Sequence, residues 1–344
     1  MKKVNVAVVG VGAVGVEMLR CLKQRKFPVD TLRVLARSER DIVVDGDTYH
    51  VMPVSEEAFD GIDIALFAGT EGEKGAAVTY ASVAVSKGAV VIDNGADFRL
   101  RDDVPLVVPE ANRDTVREHN GIIANPNCTT IQMIVALNQV HKRFGLEQII
   151  LSSYQAVSGA GKQACVELFD EVKALAEANE DKGYDDAVKK LKRDFDVFGE
   201  QIAFNLIPKI GGFADQGYTS EEWKVVHETR KIYGDSGIKA TATCVRVPVF
   251  GAHSETIYFT TRKDTTIEQI KQALLESEGV VFHDDGDALA MPLHVETLDP
   301  VHVGRLRQDP FNKNCYWLWA VADNLRKGAA LNAVQIAEEV VKLK

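Results

Sequence analysis

The sequence lacks the features that mark membrane proteins and small metal or disulfide proteins. No apolar run approaches the length that a membrane-spanning helix needs. The cysteines include no CxxC pair, which would suggest a zinc site or a redox dithiol. They are odd in number and widely spaced, at Cys21, Cys128, Cys165, Cys244 and Cys315. We therefore expect a cytosolic protein with reduced thiols, no metal site and no membrane partner.

An excess of positive charge is also missing. The 50 acidic side chains outnumber the 40 basic ones and give a formal net charge of -10. Nucleic-acid surfaces need a positive field, so we expect no nucleic-acid partner and only local anion sites. Internal repeats, low-complexity tracts and proline-rich linkers are lacking as well. The 344 residues, 46% of them hydrophobic, predict two domains with sizeable cores.

The pattern of apolar segments along the chain changes near Cys128. Before it, short apolar runs alternate with helical patterns, which predicts a parallel sheet. Strands are predicted at 4–9, 32–36, 62–67, 89–92, 106–108 and 121–124. After it, alternating segments predict a mixed or antiparallel sheet with one exposed face. These strands are predicted at 148–153, 241–249, 256–262, 301–307 and 316–322. Helices are predicted at 15–26, 130–144, 162–198 and 328–343.

A glycine-rich turn follows the first predicted strand and opens a helix. This context favours a dinucleotide-binding loop over an ordinary strand-to-helix turn, because the exposed N–H groups at the helix start attract a pyrophosphate. The residues of this turn expected at the cofactor are Gly10, Gly12, Ala13, Val14 and Gly15.

The residues that follow the second predicted strand should determine whether the protein prefers NAD or NADP. An acidic residue there would bind the ribose of NAD, whereas Arg37, Ser38 and Arg40 suit the 2'-phosphate of NADP. We predict NADP. Two alternatives stay open: Glu39 turned inward would favour NAD, and the two arginines could belong to a solvated loop.

Cys128 is the candidate nucleophile because it lies where a predicted strand ends and a helix begins. Unpaired N–H groups and the helix dipole are expected to lower its pKa from about 8.5 toward neutrality. Thr129 or Thr130 is expected to cap the helix. An isolated cysteine is usually a small buried hydrophobe, and that description fits the other four cysteines better.

A thiol that attacks a carbonyl needs a proton carrier, and histidine suits neutral pH. Of the eight histidines, His253 lies in a glycine-containing connection between two predicted strands, where it could face a cleft. A surface histidine is the alternative interpretation.

Several motifs spread over nearly the whole chain resemble those of aspartate-semialdehyde dehydrogenase. They are Asn-Pro-Asn-Cys-Thr-Thr-Ile-Gln at 125–132, Tyr-Gln-Ala-Val-Ser-Gly-Ala-Gly at 154–161, Phe-Asn-Leu-Ile-Pro at 204–208, Gly-Tyr-Thr-Ser-Glu-Glu-Trp-Lys at 217–224, Arg-Val-Pro at 246–248, His-Ser-Glu at 253–255 and 322–332 near the C-terminus. The nucleotide loop differs, since many members of the family have a longer Gly-Ala-Thr-Gly-x-Val-Gly sequence.

The resemblance implies an α/β fold of the glyceraldehyde-3-phosphate dehydrogenase type. It consists of a Rossmann-type NADP-binding domain at 1–127, joined by the C-terminal helix 325–344, and an α+β catalytic and dimerisation domain with a mixed sheet at 128–324. It implies a homodimer that reduces L-4-aspartyl phosphate to L-aspartate 4-semialdehyde with NADPH. The reaction would serve the synthesis of lysine, threonine, methionine and diaminopimelate.

The resemblance also implies residue roles. Cys128 would attack the acyl carbon, His253 would move the proton and Gln155 would orient the substrate. The substrate would contact Arg246 through its carboxylate, Glu221 through its ammonium group, and Arg99, Asn127 and Lys224 through its phosphate. Ser158, Gly159 and Asn324 would contact the cofactor.

Structural interpretations of some of these residues remain. Glu221 and Lys224 could form a helical salt bridge, and Arg99 could form a structural ion pair. An N-acetylglutamyl-phosphate reductase is the alternative enzyme, although its substrate has no ammonium group for Glu221. A noncatalytic nucleotide-binding regulator would not need Cys128, Gln155 and His253 together.

Overall fold

A computed structural model describes residues 2–68, 75–178, 191, 195–284 and 289–343. The helix predicted at 162–198 is observed as Lys162–Ala178, and much of its predicted continuation lies outside the described residues. The strands in chain order are β1 Val4–Val9, β2 Val29–Ala36, β3 Arg40–Val44, β4 Asp47–Pro53, β5 Ile64–Phe67, β6 Val90–Asp93, β7 Ile122–Ala124, β8 Leu146–Gln155, β9 Lys239–Arg246, β10 His253–Thr261, β11 Val280–Phe282, β12 Val301–Gln308 and β13 Cys315–Ala322. The helices are α1 Ala13–Gln24, α2 Ala76–Ser86, α3 Pro109–Asn112, α4 Cys128–Phe144, α5 Lys162–Ala178, α6 Ser220–Tyr233, α7 Ile267–Leu275, α8 Pro292–Val295 and α9 Leu331–Leu343.

The first sheet has seven strands in the order β3-β4-β2-β1-β5-β6-β7. Its pairings are parallel except for the antiparallel hairpin of β3 and β4. Strands β5 and β6 are buried at every residue, as expected for strands covered on both faces. The parallel sheet is therefore confirmed, while the hairpin was missed by the sequence prediction.

The strand predicted at 106–108 is wrong. Only an isolated bridge joins Leu106 to Ala124. Pro109 takes the first position of α3, where its fixed backbone angle suits a helix start and ends the extended segment. The segment is therefore too short to form a ladder.

The second sheet has six strands in the order β11-β12-β13-β10-β8-β9. The pairs β11–β12 and β8–β9 are parallel, and the three central pairings are antiparallel. This mixed sheet confirms the predicted fold class. The parallel pair of β8 and β9 matters for function, because it brings the carboxyl ends of both strands to one edge.

Helix α4 joins the two sheets. It begins directly after β7 and packs against β10 and β13 of the second sheet, and its apolar residues from Ile131 to Val140 are fully buried. Helix α9 returns to the first sheet and packs beside α1, with Val334, Ile336 and Val340 in a core that also contains Val6 and Val8. Among the described residues, no helix is long and apolar enough to cross a membrane. The domain limits at 127/128 and 324/325 stay a prediction.

Candidate active site

One cavity of about 510 Å³ lies between the glycine turn, the start of α4 and the edge of the second sheet. It brings together most of the residues singled out from the sequence. They are Gly12, Ala13, Val14, Arg99, Asn127, Cys128, Gln155, Ser158, Gly159, Glu221, Lys224, Arg246 and Asn324. Of the five cysteines, Cys128 is the one that lines it. We call this space the thiol cavity.

The second sheet presents Gln155 and Arg246 from this cavity, together with His253, on one face. Gln155 pairs with Arg246 in the parallel register of β8 and β9, and Ser254 pairs with Tyr154 between β10 and β8. Because side chains alternate along a strand, Gln155, Arg246 and His253 share the face that packs against α4. Three segments far apart in sequence therefore converge at one edge.

Cys128 is the first residue of α4, and Asn127 caps the helix. The side-chain oxygen of Asn127 accepts from the backbone N–H groups of Thr129 at 3.0 Å and Thr130 at 3.3 Å. The prediction that Thr129 or Thr130 caps the helix is therefore wrong. Thr129 instead accepts a hydrogen bond of 2.8 Å from Nε2 of Gln155, which ties the helix start to β8.

The expected low pKa of the thiol is also wrong for the protein without substrate. Burial raises the pKa of Cys128 to about 11, and the nearby carboxylate of Glu221 acts in the same direction. Arg246, Arg99 and the N–H of Thr129 act against them without prevailing. At this site the cost of removing the thiolate from water is larger than the stabilisation that the helix N-terminus gives it.

His253 is the first residue of β10 and is fully buried, rather than lying in the connection before the strand. Burial and the neighbouring charge of Arg246 hold the pKa of its imidazole well below the usual value. The backbone N–H of Ala156 donates to Nδ1 at 3.1 Å. We therefore assign a neutral ring with its proton on Nε2.

Gly159 covers this imidazole. A Cβ built on Gly159 would lie 3.1 Å from Nε2 of His253 and 2.9 Å from Nη1 of Arg246. Because Gly159 also lines the thiol cavity, its missing side chain leaves the histidine close to that space. His253 itself does not line the cavity in this structure.

Glu221 is a buried carboxylate at the start of α6. Its Oε1 accepts from Asn127 at 2.9 Å and from Gln155 at 3.3 Å, and its Oε2 lies 3.4 Å from the ammonium group of Lys224. Burial raises the pKa of Glu221, but Lys224 and the two amides outweigh it and keep the pKa below its usual value. The carboxyl group is therefore ionised at neutral pH, and the salt bridge with Lys224 expected as an alternative is present.

Arg246 is buried at the end of β9, where its Nη1 donates to the carbonyl oxygen of Ala156 at 2.6 Å. Its guanidinium lies 5.9 Å from the ring centroid of Phe198. No carboxylate forms a salt bridge with Arg246 in the part of the chain that the structure describes. A buried cation of this kind suits an anionic ligand from outside.

The position of Arg99 is compatible with both roles considered from the sequence, a structural ion pair and a contact with the substrate phosphate. It forms an ion pair of 3.1 Å with the buried Glu228 and donates to the carbonyl oxygens of Asn125 and Asn94, each at 2.9 Å. It also lines the thiol cavity. The structural ion pair is present, and a phosphate contact would use a guanidinium that is already held in place.

A second cavity of about 760 Å³ is lined by the glycine turn and the segment after β2. Gly12 and Ala68 line both cavities, and Gly10, Arg37, Ser38 and Arg40 line the second. Gly15 lines neither cavity. A Cβ on Gly15 would meet the carbonyl oxygen of Gly10 at 1.9 Å. The missing side chain of Gly15 lets α1 pack closely against the end of β1, and its expected contact with the cofactor stays a prediction. We call the second space the nucleotide cavity.

Glu39 does not line the nucleotide cavity. Its carboxylate is exposed and lies 3.4 Å from Nε2 of His50 on β4. Arg40 donates from Nη1 to the hydroxyl of Ser38 at 3.0 Å. The side chains that face this cavity after β2 are therefore cationic or neutral.

Comparison with known proteins agrees with this geometry. Residues 5–119 match the family described as "Semialdehyde dehydrogenase, NAD binding domain", and residues 137–327 match "Semialdehyde dehydrogenase, dimerisation domain". The aspartate-semialdehyde dehydrogenase of Bacillus subtilis is 45% identical over 349 aligned positions that cover 98% of each chain. The chain belongs to the aspartate-semialdehyde dehydrogenase family. It is an oxidoreductase, as its motifs predicted.

Other relatives of this family extend the comparison. The aspartate-semialdehyde dehydrogenase of Aquifex aeolicus is 45% identical and also covers 98% of each chain. A crystal structure of aspartate semialdehyde dehydrogenase II from Vibrio cholerae, complexed with ASA, is 42% identical, with a TM-score of 0.91 over 99% of each chain. These relatives favour this family over an N-acetylglutamyl-phosphate reductase.

Several lining residues were not singled out from the sequence. They are Ala68, Asn94, Pro126, Gly161, Ile210, Leu325, Gly328 and Ala329. Asn94 directly follows β6, so its position at the carboxyl end of an apolar strand could have indicated it. Leu325, Gly328 and Ala329 come from the far end of the chain, and nothing in their local pattern indicates that they lie beside Cys128.

Proposed function

We propose that this protein reduces L-4-aspartyl phosphate to L-aspartate 4-semialdehyde with NADPH, through a thioester on Cys128. One observation carries the proposal: Arg246 and the ionised Glu221 line the same cavity as the free thiol of Cys128. Arg246 is a buried guanidinium that forms no salt bridge with a carboxylate among the described residues. A free amino acid offers a carboxylate and an ammonium group, which complement these two charges.

Two charged residues of the protein would position the acyl chain by binding the amino-acid end of the substrate. Arg246 would hold the carboxylate through its planar fork, and Glu221 would hold the ammonium group. Lys224 and Arg99 line the same cavity and supply positive charge for the phosphate. An N-acetylated substrate has no ammonium group, so it would leave Glu221 without a partner and is disfavoured.

The first step forms the thioester. Because the pKa of Cys128 is about 11, the thiol is protonated at neutral pH before substrate binds. Attack of the sulfur on the acyl carbon forms the C–S bond and breaks the C–O bond to phosphate, and the departing phosphate carries the thiol proton as HPO₄²⁻. Atoms and charges balance without a separate base on the protein. Gln155, bonded to Thr129 and Glu221, would help to orient the acyl group beside the thiol.

His253 contributes as a hydrogen-bond donor in this proposal. Its Nδ1 is occupied by the N–H of Ala156, so Nε2–H is the ring group that remains to donate a hydrogen bond to the acyl oxygen of a bound substrate. Negative charge develops on this oxygen during attack on the carbonyl, and a positioned donor stabilises it. Its expected role as the carrier of the thiol proton stays a prediction, and it requires the other tautomer.

NADP fits the residues of the nucleotide cavity. Arg37, Ser38 and Arg40 line that space, whereas Glu39 is directed to His50. The glycine turn would hold the pyrophosphate, and Ser158, whose hydroxyl lies 3.1 Å from Oδ1 of Asn324, would hold the nicotinamide end with Asn324 and Gly159. When bound, NADPH supplies the hydride that reduces the thioester. Protonation of the released sulfur restores the thiol.

A homodimer is supported by the outer face of the second sheet. Tyr154 and Trp319 pack with ring centroids 5.6 Å apart, and Tyr258 and Trp317 pack at 4.7 Å. All four side chains lie on the face opposite Gln155 and His253, because side chains alternate along β8, β10 and β13. Aromatic residues of this kind are enriched in interfaces. We place the catalytic and dimerisation domain at 128–324, the nucleotide domain at 1–127 with 325–344, and the enzyme in the cytoplasm.

One assay tests the activity and the cofactor. The purified protein is mixed with aspartate semialdehyde, phosphate and either NADP or NAD, and absorbance of the reduced cofactor is followed. Phosphate-dependent reduction with preference for NADP is expected. The Cys128→Ala variant should be inactive with an unchanged fold, and mass spectrometry should find an acyl adduct on the Cys128 peptide of the parent enzyme. Turnover by Cys128→Ala, or activity that ignores phosphate, would reject the proposal.

A further inference from the structure

Gly328 touches the residue that carries the thiol. A Cβ built on Gly328 would lie 2.8 Å from Cβ of Cys128 and 3.3 Å from its Cα. Real Cβ atoms essentially never approach other atoms this closely. Both residues line the thiol cavity. The C-terminal segment therefore approaches the start of α4 as closely as a residue without a side chain allows.

The segment that carries Gly328 has an unusual conformation. Residues Arg326–Ala330 form a π-helical turn directly before α9, in which the N–H of Ala330 donates to the carbonyl oxygen of Leu325 at 2.9 Å. Single π turns are rare and are frequently found at functional sites. The wider turn places Gly328 and Ala329 on the wall of the thiol cavity.

Lys327 anchors this turn in the protein interior. Its ammonium group lies 2.9 Å and 2.8 Å from the two carboxylate oxygens of Glu110, and it also donates to Asn332 at 2.9 Å and Gln335 at 2.7 Å. Lys327 and Glu110 are both buried. Such a fully bonded pair fixes its surroundings, since removal of one partner leaves an uncompensated charge.

A second connection joins the turn to the loop before the thiol. Nδ2 of Asn332 donates to Oδ1 of Asn125 at 2.7 Å, and Nδ2 of Asn125 lies 3.3 Å from the carbonyl oxygen of Ala329. Asn125 lies three residues before Cys128 in the sequence. The π turn is therefore attached to the backbone on the N-terminal side of Cys128, while Gly328 contacts its Cβ.

We propose that Gly328 is a positioning residue that fixes the direction in which Sγ of Cys128 projects into the cavity. Its backbone closes one side of the Cys128 Cβ, and the pair of Lys327 and Glu110 holds it there. The inference rests on the proposed nucleophilic role of Cys128. It assigns a function in catalysis to the contact between the turn that precedes α9 and the first residue of α4.

The Gly328→Ala variant tests this role, with Gly212→Ala as the matched control because a Cβ on Gly212 meets nothing within 4 Å. Three quantities are measured: melting temperature, kcat and KM, and the rate constant for alkylation of Cys128 by iodoacetamide, followed by peptide mass spectrometry. We expect kcat to fall about 10–100-fold in Gly328→Ala, because small misplacements of reacting groups have such effects. Alkylation should slow as well, and Gly212→Ala should match the parent enzyme.

A merely structural role of Gly328 would lower the melting temperature and leave kcat and alkylation of the folded enzyme unchanged, which would overturn the proposal. If Gly328→Ala does not fold, two further variants decide. The double variant Cys128→Gly, Gly328→Ala removes the opposing Cβ and should fold, and failure to do so would refute the contact. Glu110→Gln loosens the anchor and should reduce kcat and alkylation, and unchanged values would overturn the proposal. Turnover by Cys128→Ala would instead reject the nucleophile itself.

Discussion

The backbone N–H of Ala156 donates a hydrogen bond of 3.1 Å to Nδ1 of His253. This one bond decides how the buried imidazole can act, because it leaves the proton on Nε2. Ala156 follows the last residue of β8, and its carbonyl oxygen also accepts from Arg246 at 2.6 Å. The same peptide segment therefore orients the proposed hydrogen-bond donor and the proposed carboxylate clamp.

Substitution of His253 by glutamine and by alanine distinguishes a donor from a proton carrier. The amide nitrogen of glutamine can occupy the place of Nε2 and donate a hydrogen bond, but it cannot carry a proton. We expect His253→Ala to lower kcat about 100–1000-fold and His253→Gln to retain a substantial part of the activity. Equal losses in the two variants, measured by steady-state kinetics, would favour the proton-carrier role.

The reactivity of Cys128 should increase with pH across the whole neutral range. Its pKa is raised to about 11 by burial and by Glu221, so the thiolate fraction of the substrate-free enzyme grows about tenfold per pH unit below that value. Alkylation by iodoacetamide, with Cys128 identified by peptide mapping, measures this dependence. A plateau in the rate below pH 9 would contradict the raised pKa and restore the low value expected from the helix terminus.

Arg246→Lys should raise KM for aspartate semialdehyde about 10–100-fold, because a point charge replaces a planar fork. KM for NADP should stay unchanged. Arg262→Lys is the control, since Arg262 is an exposed residue paired with Asp235 at 2.7 Å and does not line the thiol cavity. An unchanged KM for the semialdehyde in Arg246→Lys would remove Arg246 from the carboxylate site.

The Arg37→Ala variant should bind NADP more weakly than the parent enzyme, and its binding of NAD should be unchanged. Loss of a guanidinium at the 2'-phosphate is expected to raise KM for NADP about tenfold, since charge-assisted hydrogen bonds of this type are strong. Glu39→Gln is the control, because its carboxylate is directed to His50 rather than into the nucleotide cavity. A parallel loss for NAD and NADP, measured in the same assay, would place Arg37 outside the 2'-phosphate site.

Local sequence patterns predicted the features that depend on neighbouring residues. The glycine turn after β1, the parallel sheet and the position of Cys128 at a helix start follow from periodicity and turn chemistry over a few residues. The β3–β4 hairpin was missed, and the segment at 106–108 was assigned wrongly. In the second case the apolar pattern is real, but Pro109 starts a helix before a ladder can form.

The sequence by itself determined which groups this protein brings to its chemistry: one thiol at a helix start, a histidine, charged residues for an amino acid, and a glycine turn for a dinucleotide. Only the tertiary structure decided their states. Burial and Glu221 raise the pKa of Cys128, and Ala156 fixes the tautomer of His253. Gly328 reaches Cys128 from the other end of the chain. These properties depend on desolvation and on contacts between distant segments, which no local pattern of residues records.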